Sequence, residues 1–256
     1  MLNGIDVSLG IIGAGLEIAL AITLFVRGFW LKEFPFFFSY ICYAVLDVVT
    51  LLVIEHVATG RTYARVFWVA QAIYAVFGLL AMNEAFRKVF KVYYLRRGWF
   101  SWLVPGLVLV IGSISVWKWL RHAPVQAGPL TVAYISFDLA TNYMLAGVFG
   151  LFGLLVFFWR TKWQQYTFDV MLGFGVFSIV GMLADALRSD FGTRMNFFFI
   201  YAASVAYIVA CVIWLLAFMQ PRQTSARHTF AVDLKELLEL LDRLKTMLNK
   251  AKDAKG

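Results

Sequence analysis

Six polar side chains stand inside stretches that are otherwise apolar: Glu17, Asp47, Gln71, Asp138, Asn142 and Asp185. An ionisable group in a hydrocarbon medium costs about 2.5–3.5 kcal/mol on insertion scales, so such positions are where function is sought first. The carboxylates suit an ion, proton or ligand site, and the two amides add hydrogen-bonding groups at comparable depth. Asp138 and Asn142, four residues apart, share one helix face. The cations nearby are few. Arg65, Lys118, Arg121 and Arg188 lie towards the ends of the apolar stretches, and no lysine or arginine lies at mid-stretch. Glu17 and Asp138 must then be protonated, hydrogen-bonded to Tyr, Ser or amide groups, or open to a water-filled cavity.

Other chemistry finds little footing. His56, His122 and His228 are scattered at or beyond the ends of the apolar stretches, where they suit neither a metal site nor haem ligation. Cys42 and Cys211 both lie in apolar runs, read as small buried residues rather than a disulfide or a metal pair. No Gly-rich phosphate loop, Gly-x-Ser-x-Gly elbow or His-Glu-x-x-His occurs. The expectation is therefore a protein that is not an enzyme, with no cofactor and no metal.

The elements that position these residues follow from hydropathy. Apolar residues make up 62% of the 256, charged residues 15%, and mean hydropathy is +0.77; a soluble domain is nearer ~50% apolar and ~25% charged. The excess is gathered in runs of the length a bilayer core requires. Seven spans are predicted, at about 8–26, 35–54, 63–86, 100–119, 131–158, 167–187 and 195–219. They are far too long for barrel strands, so the fold class is an all-α polytopic membrane protein, a seven-transmembrane-helix bundle over residues 1–220. The first span contains Glu17 and lacks both a basic leader and a small-residue cleavage site, so it reads as a retained helix. Of the 23 Lys and Arg, 17 fall on the side that follows the first, third, fifth and seventh spans. The positive-inside rule then puts the N-terminus outside and the C-terminus in the cytoplasm. The net charge of +8 follows from this asymmetry, and no nucleic-acid partner is expected.

With this orientation the polar residues lie in the middle or outer half of the bilayer. They suggest an outward-opening pocket framed by the first, second, third, fifth and sixth spans, with Arg65 entering from outside. The competing expectation is that they hydrogen-bond helix to helix and only hold the bundle together. Glu84, three and four residues before Arg87 and Lys88, reads as a surface ion pair. Ala202, Ala206 and Ala210 in the seventh span, and Gly147, Gly150 and Gly153 in the fifth, read as close-packing faces. Parallels between the first and fifth spans, and Asp47 and Asp185 in the spans after them, hint at a three-plus-one-plus-three repeat.

Beyond a polar linker at 221–232 the pattern changes. Asp233 and Glu236 fit a capping box, and Leu234, Leu237, Leu241, Leu244 and Leu248 then recur at heptad-like spacing over 233–256. This cytoplasmic amphipathic helix suits either the membrane surface or a coiled coil that joins protomers or recruits a protein partner.

The lack of a lysine in the seventh span argues strongly against microbial rhodopsins, and small sugar facilitators share the length and the three-plus-one-plus-three plan but their Pro-Gln motif is missing here. The segment Tyr63-Ala-Arg-Val-Phe-Trp with Asn83-Glu84-Ala-Phe-Arg-Lys-Val-Phe resembles uncharacterised bacterial seven-helix membrane proteins, a likeness that implies no activity. The expected location is a cell membrane, the bacterial inner membrane, with the lipid bilayer as partner. The leading functional expectation is a receptor-like sensor or scaffold with an outer pocket for a small ligand. The alternatives are a small transporter or channel that uses the carboxylates for ions or protons, and a structural subunit of a larger membrane complex.

Overall fold

The computed structural model describes residues 4–57, 60–122, 129–159, 165–191 and 196–220, all helix or short turn. The helices are α1 (Gly4–Val26), α2 (Phe29–Lys32), α3 (Pro35–Val57), α4 (Gly60–Val89), α5 (Lys91–Arg96), α6 (Leu103–His122), α7 (Pro129–Trp159), α8 (Gln165–Phe191) and α9 (Asn196–Met219), with a 3₁₀ turn at Gly98–Trp102. Seven of them (α1, α3, α4, α6, α7, α8 and α9) are long and apolar enough to cross a membrane. The tail at 233–256, with its leucine repeat, lies outside the described residues.

Local chemistry sets the boundaries. Pro35 and Pro129 open α3 and α7, where a missing N–H costs nothing and the fixed φ favours the helix. Gly28, at φ +71°, ends α1 in the left-handed conformation, its N–H donating to Phe25 O at 3.0 Å. Glu84 bonds to another helix: its Oε2 accepts from the N–H groups of Phe36 and Phe37, each at 3.1 Å. A carboxylate from α4 thus caps the first turn of α3, where free N–H groups and the helix dipole favour negative charge. Lys88, one turn on, sits 3.4 Å above the Phe34 ring, a cation–π contact that also ties α4 to the start of α3.

The packing order is a ring. α1 packs on α3, α3 on α4, α4 on α8, α8 on α9, and α9 back on α1. α7 lies against α8 and α4, and α6 leans on α7 from outside. Half of the α8 span is buried, against 11% of the α6 span, which makes α8 the central helix and α6 the peripheral one. Arg27, just past α1, donates to Met219 O at 2.6 Å, so α1 and α9 end together and run parallel.

That end of the bundle is filled by aromatic side chains. Phe34, Phe37, Tyr40, Phe174, Trp214 and Phe218 are all at most 2% exposed and pack largely edge to face. Trp214 is the centre of this layer, with its Nε1–H donating to Val170 O at 3.1 Å. Gly173 makes room for it, since a Cβ there would collide with the indole. Of the alanine face of α9, Ala206 and Ala210 are buried and Ala202 is half-buried. The glycines of α7 divide. Gly147 lies against Ile111 and Leu107 of α6, but Gly150 and Gly153 are exposed and a Cβ at either would meet nothing within 4 Å. They share the outer face of α7 with the exposed Leu154, Phe157 and Phe158, so this stripe is not a contact within the bundle.

The outside of the bundle is apolar on every side. Ile11 (68% exposed), Leu46, Val69, Leu109, Phe157 (78%), Leu183 and Leu216 represent the outer faces of the seven long helices. So much apolar surface does not occur on a soluble monomer, and it suits a multi-pass membrane protein.

Candidate functional site

In the half of the ring away from the aromatic layer, the helices enclose an open cleft of about 720 Å³. It is lined by the first half of α1 (Leu9 to Glu17), the later part of α3 (Ala44, Asp47, Val48), the first half of α4 (Gln71, Tyr74), Phe177 of α8, and the first half of α9 (Tyr201 to Ile208). All these segments lie at the end where α1 begins. Small residues make the space: Gly10, Gly13 and Ala14 on α1, Ala44 on α3 and Ala203 on α9.

Three of the sequence-predicted residues meet here. Glu17, Asp47 and Gln71 line the one cleft, and the two carboxyl groups are close enough to interact electrostatically. Glu17 is 3% exposed and Asp47 9%, so both have lost most of their hydration. Glu17 Oε1 accepts the hydroxyl of Tyr207 at 2.5 Å. Its second oxygen, Oε2, and Asp47 Oδ1 are buried without a hydrogen-bond partner. Buried oxygens of this kind, if left unsatisfied, cost about 1–3 kcal/mol each. No lysine, arginine or histidine lines the cleft among the described residues.

Asn142 lies next door. With Tyr40, Gln71, Tyr74, Thr141 and Phe177 it lines a second, small cavity of about 50 Å³ that shares Gln71, Tyr74 and Phe177 with the cleft. Its amide also lies 3.1 Å from where a Cβ on Gly181 would stand, so it serves the packing of α7 on α8 as well. Arg65 is exposed and lines neither cavity. Asp138 and Asp185 belong to α7 and α8, but their side chains lie outside the described residues.

The main difference from the sequence reading is the frame. Among the described residues the fifth span (α7) lines only the small cavity, and the seventh (α9) lines the cleft. The reason is the Tyr207 hydroxyl, which reaches Glu17 across 190 residues of sequence. Tyr201, Ser204 and Tyr207, recurring every three residues on α9, are the signal that marks this face in the sequence.

A line of hydroxyls leads inward from the cleft. Tyr207, bonded to Glu17, neighbours Tyr74, whose hydroxyl is hydrogen-bonded to that of Tyr40 in the aromatic layer. Below Tyr40 the route is closed by Phe37, Phe174 and Trp214. The cleft is thus open at one end and blind at the other. Among the described residues no group of three His, Cys, Asp or Glu is placed to hold a metal ion. Comparison with protein-family models, with curated proteins and with solved structures found no match.

Proposed function

We propose that this chain is a multi-pass membrane protein of receptor-like type that binds a small ligand in the cleft between α1, α3, α4, α8 and α9. The observation that carries the reading is the convergence of Glu17 and Asp47, buried and incompletely hydrogen-bonded, on a space of about 720 Å³. Carboxyl groups that served only to hold helices together would spend both oxygens on neighbouring helices. A volume in the range of roughly 300–1,000 Å³, apolar walls and a few converging polar groups are the features of small-molecule sites. The blind inner end favours binding over an open channel. In this reading the cleft faces outward across a bacterial inner membrane, and the tail at 233–256 is the cytoplasmic helix that oligomerises or recruits a partner to carry the signal.

Gly13 provides the test. It is buried, it lines the cleft, and a Cβ there would meet nothing within 4 Å. Gly13→Leu should therefore fill the cleft without breaking the helix, since glycine is about 0.8–1.0 kcal/mol less favourable in a helix than alanine and leucine ranks just below alanine. Native mass spectrometry of protein gently released from its own membrane should show a small-molecule adduct on the wild type and none on Gly13→Leu. An adduct equally abundant on both contradicts the assignment.

The line Glu17–Tyr207–Tyr74–Tyr40 favours one second reading, a transporter that moves protons through these groups. Proton flux into liposomes that disappears in Asp47→Asn, with no retained ligand, would establish it in place of the first.

A further inference from the structure

We infer that the ligand of the cleft is an organic cation, its positive charge placed between Glu17 and Asp47 and its apolar body lying against the aromatic rings around them. The inference rests on the ligand-binding reading above and gives the chemical class of what is bound.

Two observations carry it, one of charge and one of surroundings. The carboxyl groups of Glu17 and Asp47 line one cleft, and each keeps a buried oxygen with no hydrogen-bond partner, Oε2 and Oδ1. The protein places no cation of its own on the lining among the described residues, and Arg65, the charge best placed in sequence, is exposed elsewhere. A buried carboxylate is stable when paired, and a cation brought by the ligand supplies the missing partner together with N–H donors for the open oxygens. An anion placed there would meet two like charges and no positive group, which costs several kcal/mol.

The surroundings then choose between a metal ion and an organic one. Hard cations take six or more oxygen ligands in a tight shell, whereas here two carboxyl groups face a space of about 720 Å³. Tyr74, Phe177, Tyr201 and Tyr207 line the same space, with Phe177 and Tyr207 edge to face at 5.5 Å. Aromatic faces beside a desolvated positive charge are how proteins recognise substituted ammonium groups. Leu9, Val48 and Ile208 complete an apolar wall for the rest of the molecule.

The test uses three probes on one scaffold: 2-phenylethylammonium, 2-phenylethanol and phenylacetate. Binding to the full-length protein in lipid nanodiscs is measured by calorimetry, for the wild type, Glu17→Gln, Asp47→Asn and Gly13→Leu. The ammonium should bind the wild type, the alcohol and the carboxylate much more weakly. Its affinity should fall roughly tenfold or more in Glu17→Gln and in Asp47→Asn, and it should not bind Gly13→Leu. Alcohol or phenylacetate binding as tightly as the ammonium, and lost in Gly13→Leu, overturns the cation but keeps the cleft as a ligand site. Ammonium binding that persists in both neutral variants also overturns it. No binding of any probe at millimolar concentration overturns both the cation and the binding reading.

Discussion

Trp214→Ala should destabilise the bundle by about 3–5 kcal/mol, the largest loss expected from any single truncation here. The indole of α9 is fully buried and touches rings from two other helices, Phe37 and Tyr40 of α3 and Phe174 of α8. In lipid, helices gain little from the hydrophobic effect when they associate, so packing of this kind holds them together. Alanine leaves a cavity that the neighbouring rings cannot fill without leaving their own contacts, and it removes the hydrogen bond to Val170 O. Collapse is hindered further because α8 has been cut back to glycine at 173 to admit the ring. The effect is read as a lower midpoint for unfolding by SDS in mixed micelles. A midpoint unchanged from the wild type would mean that the aromatic layer does not hold α3, α8 and α9 together.

Asp47→Leu should act in the opposite direction, stabilising the fold by about 1–3 kcal/mol while removing ligand binding. Asp47 keeps a buried oxygen without a partner, and its side chain borders open space into which a leucine fits. A residue held for packing destabilises when it is removed. A residue held for a ligand at the expense of stability does the reverse. The same unfolding titration, beside ammonium-probe binding, distinguishes them: a higher midpoint with binding lost supports the site, and a lower midpoint assigns Asp47 to the structure of the bundle.

The spans are legible because a run of about 20 apolar residues matches the thickness of a bilayer core, a length few soluble helices keep free of charge. Their ends are less so. The third span, read as 63–86, extends over Gly60–Val89, and the sixth, read as 167–187, extends over Gln165–Phe191, because polar residues continue a helix beyond its apolar part. The pieces α2, α5 and the 3₁₀ turn are too short for any periodicity to show. In the site, Glu17, Asp47 and Gln71 stand out as polar groups in apolar runs, and the structure brings all three to one cleft. What the sequence hides is partnership. Glu84 reads as an ion pair along its own helix because only local neighbours are visible there, yet it caps the first turn of α3 at Phe36, 48 residues earlier. The three-residue spacing of Tyr201, Ser204 and Tyr207 marks a polar face on α9, but nothing in it says that this face closes the ring against α1. Which helices are adjacent depends on packing of whole faces, and no local pattern records it.

The central claim, an outward cleft open to small molecules, is tested most directly by thiol accessibility. With Cys42 and Cys211 replaced by alanine, Asp47→Cys and Ser204→Cys on the cleft are compared with Phe174→Cys in the aromatic layer. A membrane-impermeant methanethiosulfonate reagent is added outside sealed right-side-out vesicles. The expected result is modification at 47 and 204, none at 174, and protection of both cleft positions when Gly13→Leu is added. If neither position 47 nor 204 reacts, or if both react only in inverted vesicles, the cleft is not an outward binding site and the account is wrong.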